Sequence, residues 1–470
     1  VRARSPIRRS SVRVLAVGTL IVVALVATGC TTTTARRAGE SVIEHATDDT
    51  FYVVPNPLPP AAPGTLIRSE RLLGAPNGAI AWRVLYHSRD VFGHDIAVSG
   101  VVVAPNRDAP HNGWPVVAWA HPTTGTAQKC APSKGLDPFD VIEGLRALID
   151  DGYVVAATDY SGMGASGPPA YLVGTTEGNN TLDSVRAARQ IADAHASSEF
   201  LLWGHSQGGQ AALFAAQDAR SYAPELHLLG VAVAAPAVKL DALLRDDIVD
   251  DLGVELGAYA FDAYLKVYGP THPTATMSSF VTPAGIAAIP KLVTYCSLNP
   301  LQTRDLDRIA KPLVGHFLTA DPGTIEPWKT WLAENTPGGR PIDVPIFIAQ
   351  GTDDHTVRPP TTNAYVAELC AAGATVEYVA LPGTGHALAA LKALPKVQPW
   401  LHDRAADRPA PNNCAQHPFG VARQRASSAP SASSVSTIVS ASTGSARIWR
   451  DFAKPHTPAP SAATAPSAMA

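Results

Sequence analysis

Three stretches of the sequence carry side chains that could break a covalent bond. Gly204-His205-Ser206-Gln207-Gly208 sets a serine between two glycines, after the apolar run "LLW" and before "QAALFAAQDAR". A serine hydroxyl is a weak nucleophile, so it acts only with an imidazole to take its proton and a carboxylate to orient that imidazole. Downstream, "QGTDDHTVRP" offers Asp353, Asp354 and His355 side by side, and "LPGTGHALAA" offers His386 in a glycine-rich loop. The Asp-Asp-His stretch could be a metal site, an acid/base pair or part of a triad. A metal needs more convergent ligands than an Asp-Asp-His run supplies, so neither a metal nor a cofactor is expected. His355 lies too close to its acidic neighbours in sequence to serve as their base, whereas His386 follows the last buried strand in a glycine-rich loop before a helix, the place where the base is expected.

Elements far apart in the chain must bring these groups together. "WPVVAWAHP", "GYVVAATDY", "EFLLWG", "HLLGVAVAAPA", "VPIFIAQG" and "TVEYVALPG" are short apolar runs of the kind buried on both faces of a sheet. Most are separated by helical segments: "DVIEGLRALIDDG", "TLDSVRAARQIADA", "GGQAALFAAQDAR" and "TNAYVAELCAAG". Strand and helix in alternation predict an α/β fold with a mostly parallel sheet, which "AIAWRVLYHS" and "DIAVSGVVVAPN" enter as antiparallel strands. Ser206 then stands at a sharp strand-to-helix turn, and the N–H of Gln207 at the helix N-terminus faces the place where an oxyanion forms. Gly351 begins a loop at the C-terminal edge of a strand, where ligands of open α/β sheets bind. Two further loops border that edge. "HPTTGTAQKCAPS" offers Thr123 and Thr124 for a second oxyanion donor, and "DYSGMG" could shape the mouth of the site or be plain turns.

The alternation is interrupted once, over residues 238–340, which predicts a helical cap or lid between a first core segment, 51–237, and a second, 341–422. Within it Phe261, Tyr264, Leu265 and Tyr268 follow i, i+3, i+4, i+7, a helix face that packs the cap onto the body or lines an acyl pocket.

The chain has 470 residues, 46% hydrophobic and 16% charged, the balance of a globular protein with a large core. Residues 1–29 read as a secretory signal: Arg2, Arg4, Arg8, Arg9 and Arg13 precede an apolar run, and "ATGC" follows, making Cys30 a candidate lipidation site and membrane anchor. Residues 30–50 form a linker. Without the signal 32 Lys and Arg stand against 40 Asp and Glu, a balance of −8 that does not invite nucleic acid. Cys130, Cys296, Cys370 and Cys414 make an even set, favouring two disulfides whose pairing the spacing leaves open. Residues 423–470 are a Ser/Ala/Pro-rich tail of disordered composition.

These parts together resemble the secretory lipase family, α/β-hydrolases typified by fungal lipase A, in its actinobacterial branch. The resemblance rests on "CAPS" after the oxyanion loop, "DYSGMG", "GHSQGG", the cap, "GTDDHTV" and "GTGH", and covers nearly the whole chain between signal and tail. It implies the α/β-hydrolase fold with a large helical cap insertion, and a triad in the order Ser206, Asp354, His386. The G-x-x-D-x-x-V spacing of such acid loops selects Asp354 over Asp353. The resemblance also implies Gln207 and Thr124 in the oxyanion hole and disulfides Cys130–Cys296 and Cys370–Cys414. The expected activity is exported, serine-dependent hydrolysis of a carboxylic ester, with an acyl lipid as substrate and an acyl-enzyme as intermediate. A short-chain esterase or polyesterase, a serine peptidase on the same fold, and a non-catalytic surface lipoprotein are the alternatives. Oligomeric state is open.

Overall fold

The computed structural model describes residues 50–297 and 300–416. The signal segment, Cys30, nearly all of the linker and the 423–470 tail lie outside the described residues.

Nine strands form one sheet: β1 (Leu66–Leu72), β2 (Ala79–Arg89), β3 (Asp95–Pro105), β4 (Trp114–Ala120), β5 (Val154–Thr158), β6 (Ala196–His205), β7 (His227–Ala234), β8 (Ile346–Gly351) and β9 (Val376–Leu381). Their order is β1-β2-β3-β5-β4-β6-β7-β8-β9. The first three pair antiparallel, β3 also pairs antiparallel with β5, and every pair from β5 to β9 is parallel. Ten helices are described: α1 (Leu145–Asp150), α2 (Gly174–Arg189), α3 (Gln207–Tyr222), α4 (Leu240–Asp247), α5 (Asp251–Tyr268), α6 (Pro283–Leu292), α7 (Pro300–Ala310), α8 (Trp328–Glu334), α9 (Pro359–Ala371) and α10 (Ala389–Ala405).

Alternation along the strands builds a core on each face. Val117, Trp119, Leu201 and Trp203 face α10 and the cap, whereas Val116, Ala118, Phe200 and Leu202 face α2, α3 and α9. All eight side chains are fully buried, which is why the central strands read as continuous apolar runs.

The cap is helices α4 to α8, between β7 and β8. Asp250 caps α5 by accepting from Gly253 N at 2.8 Å, and Thr282 caps α6 from Gly285 N at 3.1 Å with Pro283 in the first helical position. The aromatic stripe of α5 packs within the cap, where Phe261 meets Phe280 and Trp328 and Tyr268 stacks on Trp331, and reaches the body through the edge of Tyr268 against Phe92 and the Tyr264 hydroxyl on Leu172 O. The cap rings share one apolar cluster with Trp119 and Trp203 of the sheet.

Three elements differ from the sequence expectation. β1 is an extra edge strand, hidden by the charges of "LIRSERL". α1 is shorter than "DVIEGLRALIDDG" implied, starting only after Gly144, whose φ of 90° breaks the helix there. α2 begins seven residues before "TLDSVRAARQIADA", because its polar residues Glu177, Asn180 and Asp183 are buried and mask the apolar periodicity.

Disulfides join Cys130 to Cys296 and Cys370 to Cys414. The first ties the loop after β4 to the end of the α6 region, and the second ties α9 to the chain beyond α10.

Candidate active site

Ser206 stands between β6 and α3 with φ 58° and ψ −119°. Strain of this kind is held only where surroundings over-determine it. Here Ser206 N donates to Ala234 O at 3.0 Å, and Ser206 O accepts from the N–H groups of Gly209, Gln210 and Ala237. The flanking glycines permit the turn by their lack of bulk: a Cβ on Gly204 would lie 2.2 Å from Gly208 O, and one on Gly208 1.9 Å from Ala120 O.

His386 opens the segment before α10 and points its ring at the serine, Nε2 lying 2.8 Å from Ser206 Oγ. Its Nδ1 lies 2.9 Å from Asp354 Oδ2. Asp354 is fixed at the end of β8, where Oδ1 accepts from Thr356 N at 3.0 Å and Val357 N at 2.8 Å and Oδ2 from Gln350 Nε2 at 3.2 Å. Each of these partners is an N–H donor, so both Asp354 oxygens face their neighbours as acceptors. Nδ1 therefore carries the imidazole proton, and Nε2 is free to accept the serine proton. Asp353 points away, with its side chain 67% exposed beside the 84% exposed His355. Consecutive side chains at a strand end diverge, and only one of the pair reaches the serine.

A second histidine supports the first. His205 donates through Nε2 to His386 O at 3.1 Å, and its Nδ1 faces Glu143 Oε2 at 2.9 Å. Sequence reading missed this pair; its one local signal is a histidine in the variable position before the serine.

Gln207 is the first residue of α3, so its N–H has no intrahelical acceptor. Thr123 and Thr124 separate in role. Thr124 is buried, its hydroxyl donating to Cys130 O at 2.9 Å and its carbonyl accepting from Ser297 N at 3.0 Å, which commits its side chain elsewhere. Thr123 lines the cavity beside Ser206 and Gln207, and its hydroxyl pairs with Tyr171 at 3.0 Å. "DYSGMG" buttresses this loop from beneath. The Tyr160 hydroxyl donates to His121 O at 3.1 Å, and Asp159 binds Ser133 of "CAPS" through its N–H and hydroxyl. Burial lowers the His121 pKa to about 4, so its ring is neutral.

Ser206 opens on a narrow cavity of about 70 Å³ under the cap, walled by Leu240, Leu243, Leu256, Phe261, Tyr264, Trp328 and Val357. The α5 stripe thus packs the cap and also lines the cavity. One charged group interrupts the apolar wall: Asp247, whose carboxyl burial pushes up to about 8 against the pull of Arg358. Among the described residues no group of His, Cys, Asp and Glu is arranged to hold a metal ion.

The family model for secretory lipases matches residues 141–292, from the segment before α1 through α6. The chain is thus similar to the secretory lipases. It is 28% identical to Lipase A of Arthroderma benhamiae over 393 residues, 76% of this chain and 79% of that protein. It is 26% identical to Lipase A of Moesziomyces aphidis over 434 residues, 86% and 88% of the two chains. A protein of Mycobacterium tuberculosis named "Probable inactive lipase" is 24% identical over 384 residues, 77% and 83%. Among solved structures, Candida antarctica lipase A in its closed state matches with a TM-score of 0.62 at 21% identity, over 77% of this chain and 87% of that one. The rice cell wall degrading esterase LipA from Xanthomonas oryzae matches with a TM-score of 0.61 at 20% identity, over 73% and 98%. The fold of the chain is that of the α/β-hydrolases.

Proposed function

We propose that this protein hydrolyses carboxylic esters of acyl lipids with Ser206 as nucleophile, His386 as base and Asp354 as orienting acid. The observation that carries the reading is the unbroken hydrogen-bond relay from Ser206 Oγ through His386 to Asp354, opening on an apolar cavity. Ser206 Oγ attacks the ester carbonyl while His386 Nε2 takes its proton. The carbonyl oxygen, now negative, receives the Gln207 N–H and a second N–H from the loop of Thr123 and Thr124. As the tetrahedral adduct collapses, His386 returns the proton to the departing alcohol and leaves an acyl-serine, which water cleaves by the same steps. Thr124 contributes through its N–H, since its hydroxyl is engaged by Cys130 O.

The apolar cavity favours an acyl chain over a peptide side chain carrying charge. Export fits the two disulfides and the name of a relative, the secreted triacylglycerol lipase of Malassezia globosa. Attachment to a membrane through a lipidated Cys30 belongs to the same reading. The Mycobacterium tuberculosis relative keeps a non-catalytic reading in play, against which the assembled relay speaks.

One experiment tests the proposal: hydrolysis of p-nitrophenyl esters of increasing chain length, with peptide substrates alongside, by the wild type and Ser206→Ala, together with fluorophosphonate labelling. Turnover and labelling that both vanish in the variant are expected. A variant that keeps its activity, or a wild type that neither labels nor turns over any ester, overturns the reading.

A further inference from the structure

Glu177 lies on α2 behind the cavity wall and is completely buried. Its Oε1 accepts from Gln207 Nε2 at 2.6 Å and from Leu172 N at 3.2 Å. Two oxygens of this group have no hydrogen-bond partner: Oε2 of Glu177 and Oε1 of Gln207. The titratable groups whose charges couple to it are hydroxyls: Tyr160 from the loop after β5, Tyr171 from the loop before α2, and Tyr264 from α5 of the cap. Among the described residues no cation offsets its burial, which holds the carboxyl well above the usual carboxylate range. An unpaired carboxylate in such a place costs far more than keeping the proton.

A carboxylic acid and a primary amide are complementary. The amide N–H donates to the acid carbonyl oxygen, and the acid O–H donates to the amide oxygen. The first of these bonds is present between Gln207 and Glu177. The two oxygens left without partners are the donor and acceptor of the second, once a proton resides on Glu177 Oε2. Gln207 carries the N–H proposed to meet the oxyanion, so this pair fixes the residue on which transition-state stabilisation depends. It also ties Gln207 to Leu172, a cavity residue held at φ 56°, whose carbonyl accepts from Gln210 Nε2 at 3.1 Å and the Tyr264 hydroxyl at 3.2 Å.

We propose that Glu177 works as a neutral carboxylic acid, paired with the Gln207 side chain, to position the Gln207 N–H for the oxyanion. This rests on the esterase reading above. Glu177 touches no reacting atom and is a positioning residue. Losing its proton turns the donor at Oε2 into a second acceptor opposite Gln207 Oε1, and the repulsion displaces Gln207 from the site.

The test is kcat and KM on a soluble p-nitrophenyl ester between pH 6 and 10 for the wild type, Glu177→Gln and Glu177→Leu, with a thermal melt at each pH and fluorophosphonate labelling of Ser206. The amide in Glu177→Gln can donate to Gln207 Oε1 and accept from Gln207 Nε2 and Leu172 N, without an ionisable group. It is expected to keep kcat within about threefold at pH 7 and to lack the one-proton loss of kcat that the folded wild type shows on the alkaline side. Glu177→Leu is expected to lower kcat by about 10–100-fold with KM little changed, less than the roughly 10²–10³-fold loss of a whole oxyanion donor. If Glu177→Leu unfolds, the Glu177→Gln profile decides. A wild type without the alkaline loss, a Glu177→Gln that keeps it, or a folded Glu177→Leu with wild-type kcat overturns the positioning role. Failure of the esterase reading is distinct, because it removes ester turnover and labelling from the wild type itself.

Discussion

Replacing Asp354 by Asn separates the two adjacent acids and probes the proton arrangement of the relay. The asparagine must put its NH₂ where one carboxylate oxygen was. At Oδ1 it meets two N–H donors, Thr356 N at 3.0 Å and Val357 N at 2.8 Å, so two hydrogen bonds are lost and donors oppose donors. At Oδ2 it meets His386 Nδ1 at 2.9 Å and Gln350 Nε2 at 3.2 Å. The second orientation keeps the backbone bonds and is favoured, but there the NH₂ donates to Nδ1. The imidazole proton is then driven to Nε2, which faces Ser206 Oγ and can no longer accept from it. The expected result is a fall in kcat of about 10³–10⁴-fold with KM nearly unchanged, or roughly 4–5.5 kcal/mol at 1.36 kcal/mol per tenfold. Asp353→Asn is the control: its side chain is 67% exposed and its ion pair with His355 is a solvated one, so kcat should stay within about twofold. Steady-state kinetics on one ester at fixed pH, with circular dichroism to establish folding, measures both. A folded Asp354→Asn within about tenfold of the wild type, or a crippled Asp353→Asn, refutes the assignment.

Three further outcomes are expected. Thr124→Val should leave kcat nearly intact while lowering stability by about 1–2 kcal/mol in urea, because it strips Cys130 O of its buried donor; a large kcat loss would return the hydroxyl to the oxyanion hole. Asp247 holds a proton up to about pH 8 in the folded chain but releases it near its usual 3.8 when unfolded, so its contribution to stability is complete below about pH 4 and lost as pH rises through 8. Asp247→Asn should therefore raise the melting temperature above wild type at pH 8–9 and match it near pH 4, and an equal shift at both values would disprove the linkage. Opening Cys130–Cys296 by Cys→Ser at both positions frees a sequence separation of 166 residues, and the melting temperature should fall by an amount consistent with up to about 5 kcal/mol. Because the bond also joins the loop after β4, which carries the proposed second oxyanion donor, to the cap end, kcat should fall with it.

The legibility of this protein divides along sequence distance. The serine turn announces itself because the flanking glycines, the apolar strand and the helix are contiguous, and the close approaches that demand Gly204 and Gly208 lie within or beside that turn. The acid loop is equally local. The resemblance to the acid loops of the secretory lipases implies Asp354, whose two backbone N–H bonds come from residues two and three positions further on. The central strands declare themselves through burial on both faces. A weakly patterned edge such as β1 gives no such signal, and neither does α2, whose buried polar side chains break the apolar period.

Only the folded chain brings distant partners together. Glu143 meets His205 across 62 residues, and Glu177 meets Gln207 across 30. Neither pair has a spacing to recognise, because a carboxyl and its partner can be joined by any pair of elements that the sheet order makes neighbours. The two threonines show the same limit at close range. They are adjacent in sequence, yet which one lines the cavity depends on the Cys130 carbonyl and Ser297 N–H that claim Thr124. The sequence by itself determines the fold class, since strand and helix alternate in contiguous pattern, and its resemblance to the secretory lipases implies the order Ser206, Asp354, His386. The tertiary structure decides how those residues are held, because buried polar groups must find partners in space and those partners come from elsewhere in the chain.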